Sequence, residues 1–93
     1  MNRLVLKARL IERGVLRYTP AGIPALDLSL GHESEQTEAG RPRKVAVELR
    51  AVAIGEITRS LLPVEIGAER GFAGFVTAAR NGRGVVFHIT EVT

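Results

Sequence analysis

The chain has 93 residues, a formal net charge of +3 at pH 7, no cysteine, and hydrophobic residues at 45% of its positions. One small domain spanning residues 1–93 with a packed core is therefore expected, whereas a disordered chain, a disulfide framework and a thiolate zinc site are excluded. No apolar run of about 18 residues offers a membrane span, and Arg3, Lys7 and Arg9 interrupt what would be the apolar part of a signal peptide, so we expect a cytoplasmic protein.

The first segment, NRLVLKARLIERGVLRYT at residues 2–19, alternates between two faces. One face carries Leu4, Leu6, Ala8 and Leu10, and the other carries Val5, Lys7, Arg9 and Ile11. A period of two predicts a half-buried strand, with Gly14 as a bulge or bend. A helix, on which Leu6 and Leu10 would share a face, is the competing interpretation, but the β-branched residues of the segment favour the strand.

Proline and glycine then mark a turn at residues 19–24, TPAGIP. Residues 25–30, ALDLSL, alternate again and predict a second strand, antiparallel to the first because the connection is short. Residues 31–42 are polar and have no period, so we expect a long, mobile loop there.

Alternation resumes in RKVAVELRAVAI at residues 43–54, which predicts a long third strand. The following residues, 55–71, break the two-residue period and contain Pro63, so they predict at most a short helix in a crossover. Two final strands, at 72–79 and 85–92, flank the segment RNGRG. Its Asn81-Gly82 pair predicts a hairpin with a type I′ turn.

This order of elements predicts an all-β fold with a single domain. Five strands, a long second connection, a crossover after the third strand and a terminal hairpin match the OB-fold, a five-stranded Greek-key barrel. Closing the sheet into a barrel also removes the exposed edges. An SH3-like barrel is the rival architecture, but it lacks so long a third strand with a crossover after it.

Motifs that carry chemistry are absent from the sequence. The glycines match neither the GxxxxGK[ST] phosphate loop nor a GxGxxG in a strand–helix context. The serines have no plausible partners among His32 and His88, and the carboxylates of Glu33, Glu35 and Glu38 are expected to be solvated. We therefore expect no enzyme, no metal site and no cofactor.

The positive charges predict a binding surface instead. In a barrel of this kind the third strand and the loops between strands one and two and between strands four and five line one face. The basic and aromatic residues at these three places are Arg17, Tyr18, Arg41, Arg43, Lys44, Arg50, Arg80 and Arg83. We expect these cations to contact the phosphates of a single-stranded nucleic acid.

Aromatic residues, on which single strands stack their bases, are few. The chain has only Tyr18, Phe72, Phe75 and Phe87, and at least two of the phenylalanines are expected in the core. Tyr18 is the candidate stacking ring. Affinity should then depend on electrostatics and fall steeply with salt.

Four short motifs give a resemblance to a known family. They are NRLVL at 2–6, TPAGIP at 19–24, EAG at 38–40 and GF at 74–75. In the same order along nearly the whole chain, they resemble the bacterial primosomal replication protein N family, PriB, a dimeric relative of single-stranded DNA-binding protein. The resemblance implies an OB-fold homodimer that binds single-stranded DNA and helps to restart replication through the PriA helicase and, in some lineages, DnaT.

The family's site residues carry over to this chain only in part. The basic residue before the third strand matches Arg43, and the lysines of the loop between strands four and five are matched loosely by Arg80 and Arg83. The aromatics that better-known members carry near the third strand fall at Arg41 and Ala46 here. These departures leave room for a protein that works more through its helicase than through DNA.

The first strand is the candidate dimer interface. Pairing with its symmetry mate would cover the outer-face residues Val5, Lys7, Arg9 and Ile11. A monomer with two exposed aliphatic residues is the ordinary alternative.

These observations predict a non-enzymatic, single-stranded DNA-binding component of the replication-restart primosome that stimulates or bridges the PriA helicase. Two alternatives stay open. One is a protein-interaction adaptor whose basic face docks an acidic surface of the helicase, with weak DNA binding. The other is an RNA-binding OB domain, since nothing in the chain distinguishes the two kinds of strand.

Overall fold

The computed structural model describes residues 1–93, which form six strands and one short helix. The elements are β1 (Leu4–Arg13), β2 (Arg17–Tyr18), β3 (Pro24–Glu38), β4 (Arg41–Ile54), α1 (Ile57–Leu61), β5 (Glu69–Ala78) and β6 (Val85–Val92). β2 is a two-residue bridge to the start of β3, so five strands build the barrel.

The five strands close on one another, and the predicted OB-fold is confirmed. β1 pairs with β5 through its first half and with β3 through its second half, and both pairings are antiparallel. β3–β4 and β5–β6 are antiparallel hairpins, and β4 lies parallel to β6. The parallel pair joins the two hairpins and completes the closed barrel.

Alternation along the strands places the core inside this barrel. Its largest fully buried side chains are Phe72, Phe87, Leu10, Leu26, Leu30, Leu61 and Ile89. The prediction that Leu4, Leu6, Ala8 and Leu10 share the inner face of the first strand is confirmed, because all four belong to or pack against the core cluster. The alternation of β1 is therefore that of a strand, and the helical interpretation is wrong.

The prediction of a long, mobile loop at residues 31–42 is wrong. β3 and β4 continue past the barrel as a two-stranded arm, residues 31–48, whose register is unbroken from Ala25↔Ile54 to Glu38↔Arg41. The arm turns at Ala39 and Gly40, whose φ values are 52° and 74°. Residues 31–42 show no period because most of the arm lies beyond the core, so both of its faces are in solvent and neither needs apolar residues.

The terminal hairpin is confirmed, but its predicted type I′ turn is wrong. A type I′ turn needs positive φ at both central residues, and only the glycine of the Asn81-Gly82 pair has it. The Gly82 N–H instead donates to the Ala79 carbonyl, and the Ala79 N–H donates to the Gly84 carbonyl. This closes a wider loop over residues 79–84.

Of two smaller expectations, the position of the β1 bulge differs from the structure and the short helix is confirmed. The bulge of β1 falls between Leu10 and Glu12, and not at Gly14, which follows the end of the strand and donates its N–H to the Asp27 carbonyl. The crossover holds the single short helix α1, as expected. No helix in the structure has both the length and the apolar character needed to cross a membrane.

Candidate nucleic-acid interface

An open groove of about 680 Å³ crosses the outer surface of the barrel. Its floor is formed by β3 and β4, one wall by the end of β1, and the other by β6. The residues that line it are Glu12, Gly14, Asp27, Leu28, Ser29, Glu48, Arg50, Ala51, Val52 and Val86. The groove therefore lies between the connection that follows β1 and the loop at 79–84, as the face predicted from the sequence does.

Strand register explains which side chains face this groove. Leu28 and Leu30 point into the core, so Asp27 and Ser29 point outward. Their partners on β4 are Val52 and Arg50, which project to the same outer side. The alternation that builds the core thus also places one free cation, Arg50, in the middle of the groove.

Carboxylates outnumber cations inside the groove. Glu12, Asp27 and Glu48 line it together with Arg50. Glu48 accepts a hydrogen bond from the Ser29 hydroxyl at 3.1 Å, whereas Arg50 makes neither an ion pair nor a side-chain hydrogen bond. Arg50 is therefore the cation of the groove that is available to an incoming phosphate.

Arg17 lies at the edge of the groove but is engaged by Asp27. Its Nε donates to Asp27 Oδ2 at 3.0 Å and its Nη2 to Oδ1 at 3.1 Å. The hydrogen bonding to Arg17 holds the pKa of Asp27 below its usual value; partial burial of the carboxyl opposes this shift, and the charges of Arg17 and Arg50 add to it. Tyr18, the next residue on β2, points to the opposite side and is 65% exposed.

The basic cluster at residues 41–44 lies on the arm and is divided between its two faces. Arg41 and Arg43 share the face that continues the core side, where Arg43 forms an exposed ion pair with Glu38 at 3.1 Å. Lys44 lies on the outer face, which it shares with Arg50. Six residues of strand, about 20 Å, separate Lys44 from Arg50.

Arg80 and Arg83 lie in the loop at 79–84, at the other end of the groove. Both are exposed and form no ion pair. The Arg83 backbone N–H donates to the Asn81 side-chain oxygen at 2.9 Å, which fixes the turn. Val86, three residues beyond Arg83, lines the groove, so the structure brings Arg17, Arg50 and this loop together and leaves Arg41, Arg43 and Tyr18 on other surfaces.

Two aromatic residues of the outer surface were missed as site candidates. Phe72 and Phe87 are buried, as expected, but Phe75 lies outside the core and its ring stacks on His88. The signal was present in the sequence: Phe75 is three residues from Phe72, and an odd separation in a strand puts two side chains on opposite faces.

The first strand has a free edge in its N-terminal half. Residues 4–8 pair only with β5, and β3 joins β1 from Arg9 onward. Val5 and Lys7 are exposed on the outer face, and the Lys7 carbonyl at the free edge accepts a hydrogen bond from His32 Nδ1 at 2.6 Å. Ile11 differs from the others because it packs over Gly31 of the arm.

Comparisons with known proteins show what this chain is similar to. A family model described as another single-strand binding protein family matches residues 2–91. A protein of Bordetella pertussis named replication restart protein PriB is 49% identical over 80 residues, which cover 86% of this chain and 75% of that protein.

Two solved structures also match this chain. The structure of PriB from Ralstonia solanacearum superimposes with a TM-score of 0.90 at 35% identity, covering 100% of this chain and 96% of that one. A single-stranded DNA binding protein from Thermus aquaticus, at 24% identity and a TM-score of 0.77 over 49% of its length, shares the fold.

Proposed function

Because this chain belongs to the PriB family of single-strand binding proteins, we propose that it binds single-stranded DNA in the groove across β3 and β4 and serves in replication restart. The observation that carries this proposal is the position of the groove on the barrel. It runs across the strands between the connection after β1 and the loop at 79–84, which is where OB-folds bind oligonucleotides.

The unpaired cations along this path support phosphate binding. Arg50 lies in the middle, Arg80 and Arg83 at one end, and Lys44 further along the outer face of the arm. None of the four forms an ion pair, so a phosphate need not displace a carboxylate to reach them. Arg17 contributes less than these four, because Asp27 already takes its Nε and one Nη position.

A salt series of oligo-dT binding tests the proposal. The slope of log affinity against log salt counts the neutralised phosphates at about 0.7 per contact for a single strand. We expect Arg80→Ala with Arg83→Ala to weaken binding and to reduce the slope by about 1.4. Arg59→Ala, which removes an exposed cation from α1, is the matched control; an oligonucleotide affinity that is negligible even at low salt would overturn the proposal.

A role as an adaptor for the helicase is the second candidate, and the acidic lining of the groove favours it. Glu12, Asp27 and Glu48 lower the attraction for a phosphate backbone, and Arg41 and Ala46 stand where better-known family members carry aromatics. An adaptor would bind or stimulate the PriA helicase while showing negligible affinity for oligonucleotides at physiological salt. Adding the helicase to the salt series separates the two candidates.

We also propose that the protein is a homodimer joined through β1. Apart from the Lys7 carbonyl, which His32 already occupies, the free edge of residues 4–8 offers backbone groups that a second β1 can pair with, and Val5 and Lys7 would then be covered. Arg9 and Ile11 contact the arm of their own chain through Glu33 and Gly31, so they would contribute at the margin. Light scattering of the wild type tests this directly.

The partners of the proposed function are single-stranded DNA, the PriA helicase and, in lineages that have it, DnaT. The role is non-enzymatic and cytoplasmic, and it requires no cofactor.

Tyr18, Arg41 and Arg43 remain predicted DNA contacts, on surfaces that a strand would reach only after leaving the groove. The RNA alternative is tested by competition between oligo-U and oligo-dT of equal length.

A further inference from the structure

The outer surface of the barrel carries one aromatic pair. Phe75 on β5 and His88 on β6 are direct cross-strand partners, with ring centroids 4.8 Å apart and planes inclined by 11°. Phe75 is 39% exposed, whereas the other two phenylalanines are fully buried. The pair is thus a stacked aromatic surface that the core does not use.

The backbone around Phe75 is shaped to hold this pair. The register of β5 and β6 shifts between Ala73 and Gly74, where Thr90 of β6 has no partner on β5, and such bulges re-aim neighbouring side chains. A Cβ on Gly74 would collide with the carbonyl oxygen of His88. Only glycine lets the two strands approach closely enough at this point, one residue before the stacked ring.

The aromatic pair adjoins the groove. His88 pairs with Val52 on β4, and Val52 pairs with Asp27 on β3. Val52 and Asp27 line the groove, so Asp27, Val52, His88 and Phe75 form one row across four strands. This row runs across the strands, which is the direction of the groove itself.

Charge near the row suits a phosphate beside a stacked base. Arg50 lies two residues before Val52 on the same outer side and has no carboxylate partner. Glu91, the nearest carboxylate along β6 from His88, is neutralised by Arg3 at 3.7 Å. The row therefore offers an aromatic face with an available cation close to it.

We propose that the Phe75–His88 pair is a base-stacking site for single-stranded nucleic acid, with Arg50 contacting a neighbouring phosphate. Each ring has one face covered by its partner ring and one face left free. A base can stack on a free face and extend the pair. Every base has a π-face, and the site is therefore tolerant of sequence. This inference rests on the proposed DNA binding and locates stacking on β5 and β6 in a chain that lacks aromatics on β4.

A second copy of the chain is the competing occupant of this surface. Val5 on β1 shares the outer face with Phe75 and is also exposed. The row's continuity with the groove favours the nucleobase. Variants that change the association state without affecting base binding would favour the second copy.

Substitution of Phe75 tests the site against a ligand with and without bases. We expect Phe75→Leu to bind oligo-dT roughly five- to a hundredfold more weakly, with an unchanged salt slope because the phosphate contacts remain. An abasic oligonucleotide of equal length should bind the variant and the wild type alike. Phe75→Tyr, which keeps the ring, and Ile66→Ala, an exposed aliphatic of the crossover, should both bind oligo-dT as the wild type does.

Photo-cross-linking provides a measurement that does not depend on a variant's folding. Wild-type protein irradiated with 5-iododeoxyuridine-substituted oligo-dT should cross-link in tryptic peptides 71–80 or 84–93, which contain Phe75 and His88. Cross-links confined to other peptides would overturn the inference.

The binding data distinguish failure of the stacking site from failure of the proposed function. Salt-dependent oligo-dT binding that Phe75→Leu leaves unchanged overturns the stacking site and leaves the proposed function intact. Wild-type protein that binds no oligonucleotide overturns both. A lower mass of Phe75→Leu in light scattering, with unchanged DNA affinity, assigns the surface to a second copy.

Discussion

Arg17 and Asp27 hold each other in a two-point ion pair at the edge of the groove, with N–O distances of 3.0 and 3.1 Å. Arg17 was predicted from the sequence as a phosphate contact, yet Asp27 already occupies the Nε–Nη2 side of its guanidinium, one of the sides on which a phosphate could form two hydrogen bonds. Asp27 therefore competes with DNA for this cation.

Asp27→Asn is expected to tighten DNA binding. The substitution keeps the size of the side chain but removes its charge, which releases Arg17 and removes a carboxylate from the groove. Affinity for oligo-dT should rise, and the salt slope should steepen by about 0.7 for the phosphate gained. Glu38→Gln, which releases Arg43 on the opposite face of the arm, is the control with a short oligonucleotide, and an unchanged slope for Asp27→Asn would contradict the prediction.

The same ion pair predicts a small dependence of stability on pH. The pKa of Asp27 is lower in the folded protein than its unfolded value of about 3.9. The pair's stabilisation is therefore fully present above about pH 5 and is lost as pH falls through the depressed folded pKa. Thermal unfolding of wild type and Asp27→Asn from pH 3 to pH 7 should show a difference that shrinks toward the acidic end and is reduced by salt.

Gly74→Ala is expected to destabilise the barrel by about 3 kcal/mol. The new methyl group meets the backbone carbonyl of His88, which cannot move without separating β5 from β6. Urea unfolding followed by circular dichroism measures the change. Gly14→Ala, where a Cβ finds ordinary contact distances, should cost less than about 1 kcal/mol, and equal effects of the two substitutions would contradict the close approach.

Much of the fold can be predicted from the alternation of apolar and polar residues, in those parts of the strands that pack on the core. Leu26, Leu28 and Leu30 alternate because one side of β3 faces the barrel interior, and this pattern reveals the strand. Beyond Gly31 the same strand leaves the core and the pattern disappears, although the backbone pairing continues. The apolar residues of a sequence show which face of a strand is buried. Backbone pairing between two strands whose faces are both in solvent leaves no such pattern.

The position of the groove on the barrel could be predicted from the sequence, but the ion pairs and the faces of its charged residues could not. The order of strands was enough to bring Arg17, Arg50 and the loop at 79–84 to one face. The ion pair with Asp27 and the separation of Arg43 from Lys44 depend on strand register, which the sequence leaves open when the hairpin's turn is not identified. The turn at Ala39-Gly40 sets that register, and alanine is a poor marker for it.

Ala39→Asn is expected to stabilise the arm. Ala39 has φ of 52°, a left-handed conformation that costs a residue with a Cβ roughly 1–2 kcal/mol and that asparagine tolerates better. The substitution also creates the Asn-Gly sequence that type I′ turns prefer. Amide hydrogen exchange in residues 31–48 should slow by about fivefold, corresponding to about 1 kcal/mol. Exchange in β5 and β6 should not change, and an arm that exchanges as before would contradict the assigned turn.

Lys44 and Arg43 should differ in their effect on DNA binding although they are adjacent in sequence. Lys44 projects to the outer face that continues the groove, whereas Arg43 projects to the other face and is paired with Glu38. A strand that leaves the groove along the arm meets Lys44 first, so Lys44→Ala should weaken oligo-dT binding and reduce the salt slope by about 0.7. Arg43→Ala should leave both nearly unchanged with a short oligonucleotide that fills only the groove and the outer face. A larger loss from Arg43→Ala than from Lys44→Ala would contradict the prediction and would mean that the strand follows the opposite face of the arm, where Arg41 and Arg43 lie together.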